Sequence, residues 1–254
     1  MLLLIYVIIT VMRIDKLLCE LNIGSRNQVK ELLKKGQVLV DGIPVKKPET
    51  QVDEKNVRIL CCGKEYQYQP FVYFQMNKPA GVITATKDHK EKTVLDLFRD
   101  QYQLMHQGEL KGIPIQDIFP VGRLDKDTVG LLLLTNDGEL AHNLLSPKKY
   151  VAKKYYVKTD GILTDEMIRL LEAGVDIGEQ ELTLPAVIEK EEDQVCYITI
   201  TEGKFHQIKR MFLSVGLQVT YLKRVSMGKL HLDERLKEGQ IRELTKEEVS
   251  ELYA

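Results

Sequence analysis

The chain has 254 residues, 44% of them apolar, and a formal net charge of −1. That is enough apolar material for one large domain or a large one plus a small one, and the interspersed charges argue against global disorder. The near-neutral total does not by itself point to nucleic acid. The four cysteines (Cys19, Cys61, Cys62, Cys196) lack C-x-x-C spacing and the five histidines lack H-x-x-x-H spacing, which argues against a disulfide scaffold and against zinc.

The chain opens on MLLLIYVIITV, eleven uncharged residues. A bilayer span needs roughly 20 apolar residues, and a signal peptide needs a basic start and a small-residue cleavage site. Residues 1–11 are therefore expected to lie outside the fold, with Met12 as the natural start; a weak membrane-proximal segment is the alternative. Ile14, Leu17, Leu18 and Leu21 then recur at helical spacing, and Gly24 is expected to close that helix. Ser25-x-x-Gln28 is a capping box for a second helix with Val29, Leu32 and Leu33 as its apolar face and Gly36 as its stop. VLV, the turn Asp41-Gly42 and IPV signal a hairpin, followed by a strand at Val57–Leu60. Residues 12–63 make a small α/β module, and 64–70 (KEYQYQP) read as a linker.

From residue 71 to 254 the pattern is that of a larger α+β domain, a mixed and mainly antiparallel sheet flanked by helices. FVYFQM and VITAT are expected as strands around the turn Pro79-Ala80-Gly81, with a helix near Thr93–Tyr102 and a loop over 103–117. Leu131–Leu134 is an apolar run suited to a strand buried on both faces, and Asn136-Asp137-Gly138 turns the chain into a helix carrying Leu140, Leu144 and Leu145. KKYYVK is strand-like. A helix over 165–173 starts at Thr164 and closes at Gly174; strands follow near 182–188 and 195–201. Helix 204–215 is expected to present Phe205, Ile208, Phe212 and Val215 on one side, and Thr245-x-x-Glu248 caps a last helix.

The charge is segregated. Arg13–Lys47 holds eight basic and four acidic residues, Leu140–Thr159 five lysines and no acid, and Gly203–Leu232 six basic residues and no acid. The acids gather in Asp165–Asp193 and Asp233–Glu251. Such a distribution neutralises phosphate on one face and keeps another face solvated. Asp125, in Gly122-Arg123-Leu124-Asp125 before the buried strand, is either a turn carboxylate or a group whose ionisation the core edge and a nearby cation control. Asp127 is its rival. A D-x-D metal site lacks a further carboxylate cluster.

The string RIDKLLCELNIGSRNQVKELLKKGQVLVDGIPV resembles the small S-four-like RNA-binding domain of ribosomal proteins, which implies that Arg13, Lys16, Arg26, Lys30, Lys34 and Lys35 face RNA. GRLDKDTVGLLLLTNDGELAHNLLSPK resembles the central motif of pseudouridine synthases of the RsuA branch. Asn77-Lys78-Pro79-Ala80-Gly81 and TEGKFHQIKRMF match the early and late elements of that branch, in the family order, and the likeness runs from Met12 essentially to the end.

The resemblance implies a cofactor-free and metal-free isomerase that flips one uridine out of ribosomal RNA. It assigns the essential carboxylate to Asp125, the active-site tyrosine to Tyr155 beside Tyr156, and the cationic partner of the carboxylate to Lys209, with Arg210 one position away. It has Arg123 fill the space the flipped nucleotide leaves. Lys153, Lys154 and Arg210, with Lys148 and Lys149, are expected to hold RNA phosphates near the cleft. SPKKYVAKKYYV and the ending without a basic tail resemble the branch that acts on small-subunit 16S ribosomal RNA, the uridine 516 type of activity. A large-subunit synthase and a non-catalytic assembly factor are the alternatives. The implied partner is ribosomal RNA or a partly assembled small subunit, met by a monomer in the cytoplasm with no membrane association.

Overall fold

A computed structural model describes residues 11–21, 23–54, 56–66, 68, 71–105 and 117–253. Residues 1–10 and most of the expected 103–117 loop lie outside the described residues. The chain divides into two compact units, one within Met1–Val72 and one formed by Tyr73–Tyr102 and Ile118–Ala254. No helix among the described residues is long and apolar enough to cross a membrane.

The first unit begins with strand β1 (Met12–Arg13) and helix α1 (Ile14–Glu20). Ile14, Leu17 and Leu18 are fully buried, as their i, i+3, i+4 spacing requires. The helix ends at Glu20 with Leu21 as its cap, rather than at Gly24, and the Ile23 N–H closes it on the Leu18 carbonyl at 3.1 Å. In α2 (Arg26–Lys34) the Ser25 backbone N–H donates to Gln28 Oε1 at 2.8 Å. Gly36 and Gln37 close it by donating to the carbonyls of Leu33 and Leu32, the paired bonds of a Schellman ending.

Strands β2 (Val38–Val40) and β3 (Ile43–Pro44) form the expected hairpin about Asp41-Gly42. After β4 (Gln51–Val52), which pairs with β1, strand β5 (Ile59–Cys61) turns at Cys62-Gly63 into β6 (Lys64–Tyr66). Residues 64–66 are therefore the fourth strand of a β3-β2-β5-β6 sheet and not linker. Their alternation is hidden because the edge strand is mostly exposed and carries no apolar stripe.

The second unit is one large sheet. Its strands are β7 (Tyr73–Lys78), β8 (Phe119–Pro120), β9 (Val129–Thr135), β10 (Lys153–Thr159), β11 (Val187–Glu192), β12 (Val195–Ile200), β13 (Val219–Met227), β14 (Leu230–His231) and β15 (Ile241–Glu243). Their order is β11-β12-β10-β13-β9-β7-β15, with β14 on β13 and β8 on β9. Every pairing is antiparallel except β9 with β13. The helices are α3 (Val94–Met105), α4 (Gly138–Leu145), α5 (Asp165–Ala173), α6 (Gln207–Ser214) and α7 (Lys246–Tyr253).

Leu131 to Leu134 are all 0% exposed, which makes β9 the centre of the core. Each such leucine gains about 2 kcal/mol from leaving water. Gly130 lets β9 approach β13: its φ is +100°, and a Cβ there would sit 2.3 Å from the Arg224 carbonyl oxygen. The expected strand at VITAT is irregular chain held by a single bridge between Ile83 and Thr93. The strand expected near 182–188 starts only at Val187, and α3 runs three residues past Tyr102 to Met105. Helix α6 begins at Gln207, so Phe205 precedes it and is 71% exposed, not on its core face. Leu145 likewise stands out of the core face of α4.

Candidate functional site

The site forms where the loop from β8 to β9 meets the start of α6. Within that loop Leu124 is buried, and Thr84 Oγ1 fixes it from both sides, donating to its carbonyl at 2.8 Å and accepting from its N–H at 3.2 Å. Lys78, at the end of β7, is 0% exposed. Its Nζ donates to the carbonyls of Pro79 (3.0 Å), Lys126 (3.2 Å) and Thr128 (2.9 Å). Gly81 N–H donates to the Lys126 carbonyl at 2.8 Å. The Asn77–Gly81 element thus clamps the backbone that follows Asp125, while Thr84 holds the residue before it. Burial pushes the Lys78 ammonium down to about 8.

Asp125, held by this clamp, faces α6. Lys209 Nζ lies 3.2 Å from Asp125 Oδ2 and 2.5 Å from Asp127 Oδ1. Burial works against the Lys209 charge, but the bonds and charges of Asp127 and Asp125 outweigh it and raise its pKa. The Lys209 hydrogen bond in turn lowers the Asp127 carboxyl. His206 Nε2 lies 3.6 Å from Asp125 Oδ1. His206 sits before α6 with φ +49°, its ring stacked on Phe205 at 3.9 Å. Gln207 fixes this turn, accepting from the Lys204 N–H and donating to Glu202, each at 2.8 Å.

Tyr155 on β10 borders the same cleft of about 800 Å³ as Asp125, Arg123 and His206. Strand alternation decides between the two tyrosines. Tyr155 is nearly buried on the cleft side, whereas Tyr156 packs on the other face of the sheet against Tyr197 and Tyr221. Of the two carboxylates only Asp125 lines the cleft; the Asp127 side chain is 73% exposed.

Arg123 is exposed at the cleft. Lys153 lines it but is buried, so it is no surface phosphate contact. Lys154 points to the opposite face, paired with Glu189 at 2.7 Å and lying over the Tyr197 ring. Arg210 is turned away from Asp125, bonded to Glu179 at 2.8 Å and to the carbonyls of Phe205 and Ile177. It braces the chain before α6, which leaves Lys209 as the partner of Asp125. In the first unit, Arg13, Lys16, Arg26 and Lys30 border a hollow of about 530 Å³, while Lys34 and Lys35 stand exposed at the end of α2. Arg13 is shared with Asp15 at 2.7 Å and Lys16 with Glu20 at 3.5 Å. Among the described residues no group of three His, Cys, Asp or Glu side chains is arranged to hold a metal ion.

Sequence reasoning had no role for Lys78, His206, Thr84 or Arg224. Lys78 and His206 lay inside motif strings already singled out, but nothing local marks a lysine as a backbone clamp.

The chain is similar to known proteins along nearly its whole length. A family model described as RNA pseudouridylate synthase matches residues 72–214, and one described as S4 domain matches residues 12–57. An uncharacterised RNA pseudouridine synthase of Bacillus subtilis is 47% identical over 94% of this chain and 97% of its own length. The ribosomal large subunit pseudouridine synthase B of that organism is 39% identical over 95% of this chain and 96% of its own. The ribosomal small subunit pseudouridine synthase A of Vibrio cholerae is 37% identical over 95% of this chain and all (100%) of its own. A crystal structure of a pseudouridylate synthase superposes with a TM-score of 0.64 at 32% identity, covering 95% of this chain and 99% of that one.

Proposed function

The chain belongs to the RNA pseudouridylate synthase family, and on that premise we propose that it isomerises uridine in small-subunit 16S ribosomal RNA, at the uridine 516 type of site, with Asp125 as the essential carboxylate. The reaction breaks the bond between ribose C1′ and base N1, turns the base, and rejoins it through C5. Nothing is transferred and no net oxidation occurs, so the chemistry asks for a placed carboxylate and a held base rather than a cofactor or metal. Asp125 either attacks sugar or base or takes a sugar proton. Lys209 pairs with it and keeps it aimed. Tyr155 stacks the flipped base, a contact worth roughly 1–3 kcal/mol, and Arg123 enters the vacated space.

One observation carries this reading: Asp125 is gripped by Lys209 at 3.2 Å and flanked by His206 in a cleft that Tyr155 also lines. The module over residues 12–66 supplies RNA affinity through the cations around its hollow, and residues 71–254 supply catalysis. The cysteines are all free, which suits a reducing cytoplasmic setting, and the enzyme acts as a monomer. Relatives of 39% and 37% identity are named for the large and the small subunit, so identity does not separate the targets; SPKKYVAKKYYV favours the small one.

The test is release of tritium from uridine C5 in small-subunit RNA, large-subunit RNA, or partly assembled small subunits. Release from small-subunit RNA is expected; release from large-subunit RNA alone would move the target. Asp125→Asn is expected to lower release at least about a thousandfold while RNA affinity stays within about twofold. Release retained by that variant removes Asp125 from the mechanism.

A further inference from the structure

Two cations lie under the cleft with no carboxylate partner among the described residues. Arg224, from β13, is 2% exposed, and Lys153, from β10, is 9% exposed; both border the cleft that holds Asp125 and Tyr155. Arg224 pairs with Tyr155 across the β10–β13 ladder, and Lys153 is two residues from Tyr155 on the same strand face. The two positive side chains therefore flank the ring that stacks the base. Arg224 Nε donates to the Leu131 carbonyl at 2.8 Å, and Lys153 Nζ to the Val151 carbonyl at 3.0 Å. Arg224 Nη2 is buried with no acceptor among the described residues.

The acids bordering the cleft are committed elsewhere. Asp125 faces Lys209 and His206, and Glu202 accepts from Gln207 and from the Leu184 N–H. Burying two like charges side by side without an anion is unfavourable. Burial and the Arg224 charge both depress the Lys153 ammonium, as such crowding requires. A pair kept under that penalty suits a site where negative charge appears only during the reaction.

The isomerisation supplies such charge. When C1′–N1 breaks, its electron pair stays on N1 and spreads to the uracil O2 and O4. If Asp125 adds to C6 instead, the displaced pair becomes an enolate at O4. In the first route Asp125 holds C1′ as an ester until C5 displaces it, or takes a sugar proton and returns it; in the second C5 bonds to C1′ and the C6–carboxylate bond then breaks as the C5 proton leaves. Both end with C5 bonded to C1′, the C5 proton lost to water, N1 protonated from water and the carboxylate free, so atoms and electrons balance. We infer that Arg224 and Lys153 stabilise the negative charge that develops on the uracil carbonyl oxygens. Backbone phosphates belong to a continuous strand that meets the exposed cations at the rim, whereas only the flipped base reaches side chains this deep.

This inference rests on the proposed function, and one experiment separates the two. Lys153→Met, Lys153→Arg and Arg224→Gln are compared with the unmodified protein in single-turnover tritium release at saturating enzyme, alongside RNA affinity over a salt series and thermal unfolding. Lys153→Met is expected to slow release about 100-fold with unchanged affinity, unchanged salt slope and no loss of melting temperature. Lys153→Arg is expected to restore most of the rate. Arg224→Gln is expected to match Lys153→Met if it folds, and Lys153→Met carries the test if it does not. A Lys153→Met rate within threefold of the unmodified protein overturns the inference, as does a loss confined to affinity with a shallower salt slope. No release by the unmodified protein from either ribosomal RNA or from partly assembled small subunits overturns the proposed function itself, and the inference with it.

Discussion

Both units set cations against carboxylates, yet they do it on different length scales. In the first unit, Arg13 forks onto Asp15 at 3.0 and 2.7 Å, two residues away in sequence, and its side chain is half-exposed. In the second, Lys209 reaches Asp127 across 82 residues, and Asp125 with it, from the first turn of a different element. A local, solvated pair exchanges partners easily and can yield to phosphate, so it contributes affinity. A pair assembled across the fold, beside a cleft and with its loop clamped from behind, holds a reactive group in one orientation. One arrangement suits holding RNA and the other suits doing chemistry on it.

Lys209→Met is the strongest way to break this contrast. It is expected to lower single-turnover tritium release about 100-fold with affinity within about twofold, and Lys209→Arg is expected to recover part of the loss. Arg210→Ala, one residue on, is expected to reduce thermal stability more than rate, because its partners are Glu179 and two carbonyls. A larger catalytic loss for Arg210→Ala than for Lys209→Met would reverse the assignment.

The module offers the opposite signature. Arg26→Ala combined with Lys30→Ala is expected to weaken RNA binding about 10-fold and to flatten the salt dependence by about one unit of slope per lost phosphate contact. The rate at saturating enzyme should stay unchanged. A lowered saturated rate with normal affinity would show that the module takes part in the chemistry.

The last expected effect is on stability and concerns the clamp. Lys78 is buried, and its pKa falls from the ordinary 10.5 to about 8. Between those values the unfolded chain holds a proton that the native chain has lost, so this group's contribution to stability rises with pH across that window. Below about pH 8 both states are protonated and the burial penalty is present in full. Urea unfolding of Lys78→Met from pH 7.5 to 10.5 is expected to show a shallower rise than the unmodified protein, by an amount on the order of 3 kcal/mol over the window. Parallel curves would place the Lys78 proton elsewhere.

Much of the architecture is legible because it is local. Helix α5 lies between Thr164 and Gly174 as its caps require, with Thr164 accepting from the Met167 N–H. Thr245 and Glu248 exchange the two bonds of a capping box at α7. Strand β9 is buried along its whole length, as an unbroken apolar run in mid-sheet must be. The misreadings fall where local pattern and long-range pairing part company. VITAT has strand-forming residues but only one bridging partner, and Lys64–Tyr66 has no apolar stripe but a neighbour to pair with. Phe205 is apolar and close to α6 in sequence, yet it packs on His206 outside the core.

By itself the sequence determined the elements whose signals span a few residues: caps, tight turns, apolar periods, and the motifs that place Asp125, Tyr155 and Lys209 in one family. Only the tertiary structure decided which tyrosine faces the cleft, which of Lys209 and Arg210 meets the carboxylate, and that Lys78 and Arg224 stand behind it. Period and cap preferences act through neighbouring backbone and can be read along the chain. The meeting of β7, the loop before β9, β13 and α6 depends on sheet register and burial, which exist only once distant segments have packed.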